Sequence, residues 1–507
     1  MSTSSFGLRN ILKIQIILPV LSSLLLVAIL TRSPYAAFFF ILGIAITLSL
    51  AKNPLMALAL LIILVPLNKT HFFAEPLLGI KGTEPYYMLA FFVLFIGIIN
   101  LGYGSKMPKI AVAFSFFFIV IFALTVIHSL SNVAAINERF IEEGRERLST
   151  FPYLLKTFVR PMLYFIPFLL ITKFANTYES VDFVTRSLIY SVIFLSLYII
   201  VLFIFKFPSI KDAGSVNYSL GVYLGMLRND IANFYILGFP FLLSRFFVKK
   251  NLINLSIIGL SLFIVAFLYS RTAYIIIFLS FILYLFISKR TRFLPILMAL
   301  AIVSSVILSA SIIQRASHGF ESNDLNEITS GRTGNIWMPL IHEYFTQPKK
   351  LLLGNGRYAI VSSQSVARGF TPNDIWHPHN MYLEQILDAG LIAFIIISSF
   401  YIIFFRKIFR SFQLLPPGTI KEYQYAVFVS MSAYFISGLT GRTLFPSSGN
   451  NYFWIILAIG VVIINLRNKE LSQTAGNGSL TQSSLRNEST TLVQKNSFAS
   501  RKSKYLN

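Results

Sequence analysis

Apolar runs recur along most of the chain, and each ends in a short cluster of polar or charged residues. Fourteen of them approach the length of a bilayer crossing: 11–30, 35–50, 54–67, 85–100, 110–130, 152–172, 184–205, 231–248, 252–269, 272–287, 293–313, 381–405, 424–440 and 451–466. A crossing helix needs about 20 apolar residues, with some latitude for tilt. The third run is short and carries Pro54 and Pro66 near its ends, so it reads as tilted or re-entrant. The pattern predicts an all-α fold, a polytopic transmembrane helical bundle of about 12–14 spans. One long stretch, 314–380, breaks the rhythm. Within it Ile336, Trp337, Leu340, Ile341, Tyr344 and Phe345 fall on one face of a helix. Pro339 fits there only in the first turn. The stretch therefore reads as a large extracytoplasmic loop containing a short amphipathic helix that lies on the outer leaflet.

Composition agrees and excludes a soluble domain. The 507 residues are 55% hydrophobic and 12% charged, with a mean hydropathy of +0.70, whereas a soluble domain is about a quarter charged. Cysteine is absent, which removes disulfides, thiolate metal sites and cysteine nucleophiles. The net charge of +23 would ordinarily suggest nucleic acid. In a membrane chain it raises first the question of which side the cations occupy. With the N-terminus inside, Lys106, Lys109, Lys173, Lys249, Lys250, Lys289, Arg290, Arg406, Lys407 and Arg410 all fall on inside loops. That is the positive-inside pattern, and it makes the charge largely topological. Both termini are then expected in the cytoplasm. The run 11–30 spans without a small-residue cleavage site and reads as an anchor rather than a removed leader. The organisation expected is 1–226, N-terminal helices; 227–313, central helices with outward arginines; 314–380, the loop; 381–466, C-terminal helices; and 467–507, a disordered cytoplasmic tail.

Candidate chemistry gathers on the outer side. Arg271, in Ser270-Arg271-Thr272, occupies a junction of almost no length between two spans, either snorkelling or binding an anion. Arg332 lies between Gly331 and Thr333-Gly334 just before the amphipathic helix, where a helix start favours an anion. Arg357 follows a second Gly-rich turn, Gly354-Asn355-Gly356, which reads mainly as a turn. Arg228 and Asn233 stand where an earlier span begins, and Asp230 is a natural ion-pair partner for Arg228. Arg160, Lys81 and Arg442 also face outward. His377-Pro378-His379-Asn380 closes the loop. Its i, i+2 histidines, even with Asp374, make a poor chelate; a histidine at a helix start makes a better general base. The acidic turn of Glu321, Asp324 and Glu327 reads as solvated rather than as a magnesium site.

The order of these elements is more specific than any one of them. Ser270-Arg271 is followed by Gly331-Arg332…Trp337, then Leu353-Gly354-Asn355-Gly356, then His379-Asn380-Met381-Tyr382-Leu383, with Gly390 beyond. The chain thereby resembles the O-antigen ligase and O-antigen polymerase superfamily of bacterial membrane glycosyltransferases, from about Leu227 to Tyr401. The resemblance implies an enzyme of the cytoplasmic (inner) membrane whose partners are a polyprenyl-diphosphate-linked oligosaccharide, a glycan acceptor, membrane lipid and other polysaccharide-assembly proteins, with no nucleic acid and no cofactor. It implies His379 as the catalytic base. Arg271 and Arg332 would bind the diphosphate, with Arg228, Asn233, Asn380, Tyr382 and Arg357 as further substrate-binding residues. Polymerase is the first reading and ligase the second, and a transporter or flippase of the same lipid-linked glycan is the rival from another class. A transporter would keep its ionisable groups near the bilayer midplane; here they lie outside.

Overall fold

The computed structural model describes residues 53–70, 73, 84–102, 106–142, 147–206, 212–295, 324–329, 331–372, 375–441 and 443–474. Among them the elements are helical throughout. In chain order they are α1 (Pro54–Leu64), α2 (Pro85–Ile99), α3 (Lys109–His128), α4 (Val133–Glu142), α5 (Thr150–Phe174), α6 (Tyr178–Lys206), α7 (Ala213–Leu224), α8 (Arg228–Val248), α9 (Leu252–Phe267), α10 (Arg271–Ile287), α11 (Met338–Phe345), α12 (Pro348–Leu353), α13 (Met381–Leu414), α14 (Thr419–Ser437) and α15 (Ser448–Thr474). Six of these, α3, α5, α6, α8, α13 and α15, are long and apolar enough to cross a membrane; α1, with the turn that follows it, α2, α9 and α10 are shorter apolar helices. The expected spans at 11–30, 35–50 and 293–313 lie outside the described residues or nearly so, as do Lys81, Glu321, Asp374 and Arg442. The tail beyond residue 474 lies outside them too.

Local chemistry sets the helix ends. Asn53 accepts from the Leu55 and Met56 amides ahead of Pro54, which needs no donor at a first turn. Asp212 and Ser215 form a reciprocal capping box at the start of α7, and Gly225 closes that helix in the left-handed region at φ 64°. α14 is not among the six because it carries Tyr423, Gln424, Tyr425 and Ser430. It is nonetheless central, packing most extensively against α8. α8 contains Pro240, which cannot donate into its own helix, and beside it Ser430 donates to the Leu237 carbonyl at 2.8 Å. Helix-to-helix bonds of this kind recur where lipid offers no alternative partner: Tyr452 donates to Ser191 at 2.7 Å and Asn451 to Tyr86 at 2.9 Å. Trp454 is fully buried among Phe114, Phe118, Phe165 and Phe453.

Successive crossings sort the helix ends into two sets. At one end Arg290 pairs with Glu422 and Tyr423 donates to Asp182. At the other lie the C-terminus of α3, the starts of α8, α10 and α13, and the segment between α10 and α13. The amphipathic stripe forms a π-helical turn, Thr333–Trp337, running into α11 with Pro339 in its first turn. The stripe divides: Ile336, Leu340 and Tyr344 are buried against Ala359, Ile360 and Leu387, whereas Ile341 and Phe345 remain exposed. Half of the apolar face thus docks on the protein, and half stays available to the lipid interface.

α13 breaks at Gly390, which takes φ 86° and ψ 166° inside the helix. The break frees the carbonyls of Leu387 and Asp388. They accept instead from the amides of Asn355 (2.8 Å) and Gly356 (3.0 Å), while the Arg357 amide donates to Thr125 of α3 at 3.1 Å. A Cβ on Gly390 would lie 2.3 Å from the Leu352 carbonyl oxygen, and one on Gly354 2.4 Å from that of Asp388. The Leu-Gly-x-Gly turn is thus spliced into the broken helix, and only residues without side chains permit the approach.

Candidate functional site

His379, Arg332 and Arg271 arrive from three separate segments and meet around Thr440 and Gly441, at the end of α14. Arg332 opens the π-helical turn and donates from Nη1 to the Thr440 carbonyl at 2.8 Å. Thr272, next to Arg271 at the start of α10, places its hydroxyl 3.2 Å from that of Thr440. Gly441 packs against the His379 ring, the position of an added Cβ being 3.6 Å from Nδ1. The charges of Arg271 and Arg332 feel one another: burial first, and then Arg271, lower the pKa of the Arg332 guanidinium. His379 in turn is held neutral, its pKa depressed to about 3 by burial, then by His377 and by the positive charge of Arg332. Two like charges beside a neutral base make a positive locus of the kind that attracts an anion.

Each element of the cluster is fixed by its own sequence. Asn326 accepts from the Gly334 amide at 2.8 Å and, through its carbonyl, from the Gly331 amide at 2.7 Å, setting the turn that carries Arg332. The Trp337 indole N–H donates to the Pro378 carbonyl at 2.8 Å, tying the amphipathic helix to the residue before His379. His379 itself has φ 53°, the left-handed region that a residue with a side chain seldom occupies. Tyr269, two residues before Arg271, has φ 51°. Both strained residues sit where the chain turns sharply into the helix bearing the site.

The remaining sequence candidates have other roles. Arg228 donates to the Tyr269 carbonyl at 3.1 Å, and Ser270 donates to Asn229 at 3.0 Å, so the start of α8 braces the junction that presents Arg271. No ion pair joins Arg228 to Asp230 among the described residues. Asn233, 1% exposed, donates to the Gly449 carbonyl and holds a loop instead of facing the arginines. Asn380 is a helix cap: its side-chain oxygen accepts from the Tyr382 and Leu383 amides at 3.0 and 3.1 Å. The Tyr382 hydroxyl donates to the Phe435 carbonyl at 2.7 Å. Arg357 sits among carboxylates and rings. Its Nη1 lies 2.6 Å from Glu384 and 2.5 Å from Asp388, and the guanidinium packs on the Tyr358 and Phe445 rings. A cation already matched by two carboxylates has no charge to offer a diphosphate. Arg160 is likewise paired, with Glu84 at 2.8 Å.

Sequence reasoning missed the loop 438–450, which completes the site. Asn450 organises it, donating to the Thr443 and Phe445 carbonyls (2.9 and 2.7 Å) and accepting from the Ser447 amide and the Trp454 indole. Clustered Gly, Thr, Ser and Asn over Gly438 to Asn451 was the available signal. A cavity of about 160 Å³ opens between this loop, the start of α8 and the segment before α13; its walls include Asp230, Tyr358, Trp376, His377 and Glu384.

Helices long and apolar enough to cross a membrane, with Arg271, Arg332 and His379 drawn together at one end, define a polytopic membrane protein of the all-α class. Residues 256–398 match the family model described as O-Antigen ligase, so this segment of the chain is similar to the O-antigen ligase and polymerase superfamily. The matched segment contains Arg271, Arg332 and His379 but stops short of the loop 438–450. It supports a role in the transfer of lipid-linked glycan. Comparison with curated proteins gives no match.

Proposed function

We propose that this protein transfers or polymerises a polyprenyl-diphosphate-linked oligosaccharide at the outer face of a bacterial cytoplasmic membrane, without a metal. The observation that carries this reading is the electrostatic contact of Arg332 with both Arg271 and His379 around Thr440 and Gly441. In the reaction an acceptor hydroxyl oxygen attacks the anomeric carbon of the donor. The new C–O bond forms as the bond from that carbon to the diphosphate oxygen breaks. The diphosphate leaves with the electron pair, and Arg271 and Arg332 hold its charge. The hydroxyl proton passes to the neutral His379 imidazole and then to water. A diphosphate between the arginines also offsets the share of Arg332 in lowering the imidazole's basicity, a share smaller than that of burial or His377, so donor binding raises the strength of the base.

Polymerisation is the first reading, and ligation to a lipid A core or another surface acceptor the second; the description of the matched family model favours keeping it. A transporter would want ionisable groups within the bundle, whereas the arginines here gather at its end. The test is a strain lacking the chromosomal copy, complemented with His379→Ala and examined by glycan gel. Loss of the ladder is expected. Single repeats on the surface mean polymerase, and polymer left on the lipid carrier means ligase; a normal ladder at normal expression overturns the proposal. Arg271→Ala and Arg332→Ala should each weaken donor binding by about 2–5 kcal/mol, and Lys should rescue poorly because it lacks the planar fork.

A further inference from the structure

The cavity beside His377 differs in chemistry from the arginine cluster next to it. Among the described residues the Asp230 carboxylate forms no ion pair and accepts no hydrogen bond, and its Oδ1 lies against Gly449, where an added Cβ would come within 3.2 Å. Glu384 uses Oε1 for Arg357 and Thr443 and leaves Oε2 without a hydrogen bond among the described residues. Among the described residues of the wall the one arginine, Arg357, is matched by Glu384 and Asp388. The Trp376 ring is fixed from behind by Phe140, stacked at 4.9 Å, and from the side by Tyr358, edge-on at 5.6 Å. Carboxylate acceptors beside a rigid aromatic wall, with no unmatched positive charge among the described residues, suit a neutral ligand rich in hydroxyl donors and disfavour a diphosphate.

We propose that this cavity is the acceptor subsite, taking one sugar ring of the incoming glycan, with Asp230 and Glu384 accepting from its hydroxyls and Trp376 covering its apolar face. Position supports this. Gly441 lines the cavity and also packs against His379, and the His377 ring in the cavity wall lies 4.3 Å from that of His379. A ring seated there brings a hydroxyl to the base, while the arginines beside Thr440, outside the cavity lining, take the anionic donor. Size limits the occupant: about 160 Å³ is well below the roughly 300–1,000 Å³ of pockets that engulf a whole drug-sized ligand, so a single ring is held and the rest of the glycan lies outside.

The proposal rests on the reading of His379 as base, yet its test requires no transfer. The full chain carrying His379→Ala, purified in detergent, is titrated with the repeat-unit oligosaccharide released by mild acid from the source strain's surface glycan, with tryptophan fluorescence as readout. Undecaprenyl diphosphate is titrated separately. Saturable oligosaccharide binding is expected, weakened at least tenfold by adding Asp230→Asn, with the affinity for undecaprenyl diphosphate unchanged. Trp376→Phe should retain binding while losing most of the signal. No saturable binding, or equal affinity with and without Asp230→Asn, overturns the proposal; so does Mg²⁺ or Ca²⁺ alone producing the Asp230-dependent change, which would make the cavity a cation site. A normal glycan ladder from His379→Ala would instead overturn the functional reading.

Discussion

His379 is neutral because of its surroundings, and this has a measurable sign. Its pKa of about 3 lies far below the ordinary histidine value, by burial first and then by His377 and Arg332. Removing the positive charge of Arg332 makes the imidazolium easier to form. Arg332→Gln should therefore raise the His379 pKa, read as an upward shift of its NMR titration in the detergent-purified protein; an unchanged or lowered value would refute the coupling. Linkage points the same way. The unfolded chain protonates this side chain near pH 6.5 and the folded one only near 3, so its contribution to stability is complete above about 6.5 and is lost as pH falls through that window. The donor's negative charge should move the acid limb of kcat to higher pH than that of kcat/KM for the donor, since the first reports the complex and the second the free enzyme. The histidine and both arginines were candidates in the sequence from their helix-end settings, and the order of the motifs, through the resemblance, gave them their expected roles. The cap role of Asn380 was legible in principle, since Asn before a helix is the commonest cap. The neutralisation of Arg357 was not, because Glu384 and Asp388 reach it only when α13 folds beside the Gly-rich turn.

At the scale of elements, the splice between the Leu353-Gly354-Asn355-Gly356 turn and the broken α13 supports the loop that carries His379. Gly354 and Gly390 face each other at backbone contact, each with positive φ. Gly369 also has positive φ, at 75°, but an added Cβ would meet nothing within 4 Å. Gly369→Ala should therefore cost only the conformational strain, of order 1–2 kcal/mol. Gly354→Ala must in addition displace backbone and should cost more than about 3 kcal/mol. Thermal unfolding of the two variants in the same detergent checks this, and equal melting temperatures would refute the splice. The glycines and the helix that follows were visible in the sequence as a motif. Their reason was not, because the two halves of the contact are separated by the whole His379 segment.

For the whole molecule, the alternation of basic and non-basic connections predicts sidedness. Reporter fusions after Lys250 and after Lys350 should report opposite sides of the membrane, the first cytoplasmic. The same side for both would invert the placing of the site. Hydropathy alone determined the helical bundle and the positions of the six long apolar helices among the described residues, because backbone groups in lipid must be satisfied within a helix and apolar length is written directly in the chain. The helix starts were equally local, set by Asn53, Asp212, Asn251 and Asn380. Tertiary structure alone decided which polar groups are spent on the fold and which are left for chemistry. Arg357, Asn233 and Tyr382 look like Arg332 and His379 in sequence, being polar residues at helix ends on one side. Only the packing of distant segments matches Arg357 to two carboxylates while drawing Arg271, Arg332 and His379 together around Thr440 and Gly441, where, among the described residues, Arg332 meets a carbonyl alone. Charge and hydrogen bonding depend on neighbours in space, and those neighbours come from segments as far as 365 residues apart, as between Asn451 and Tyr86.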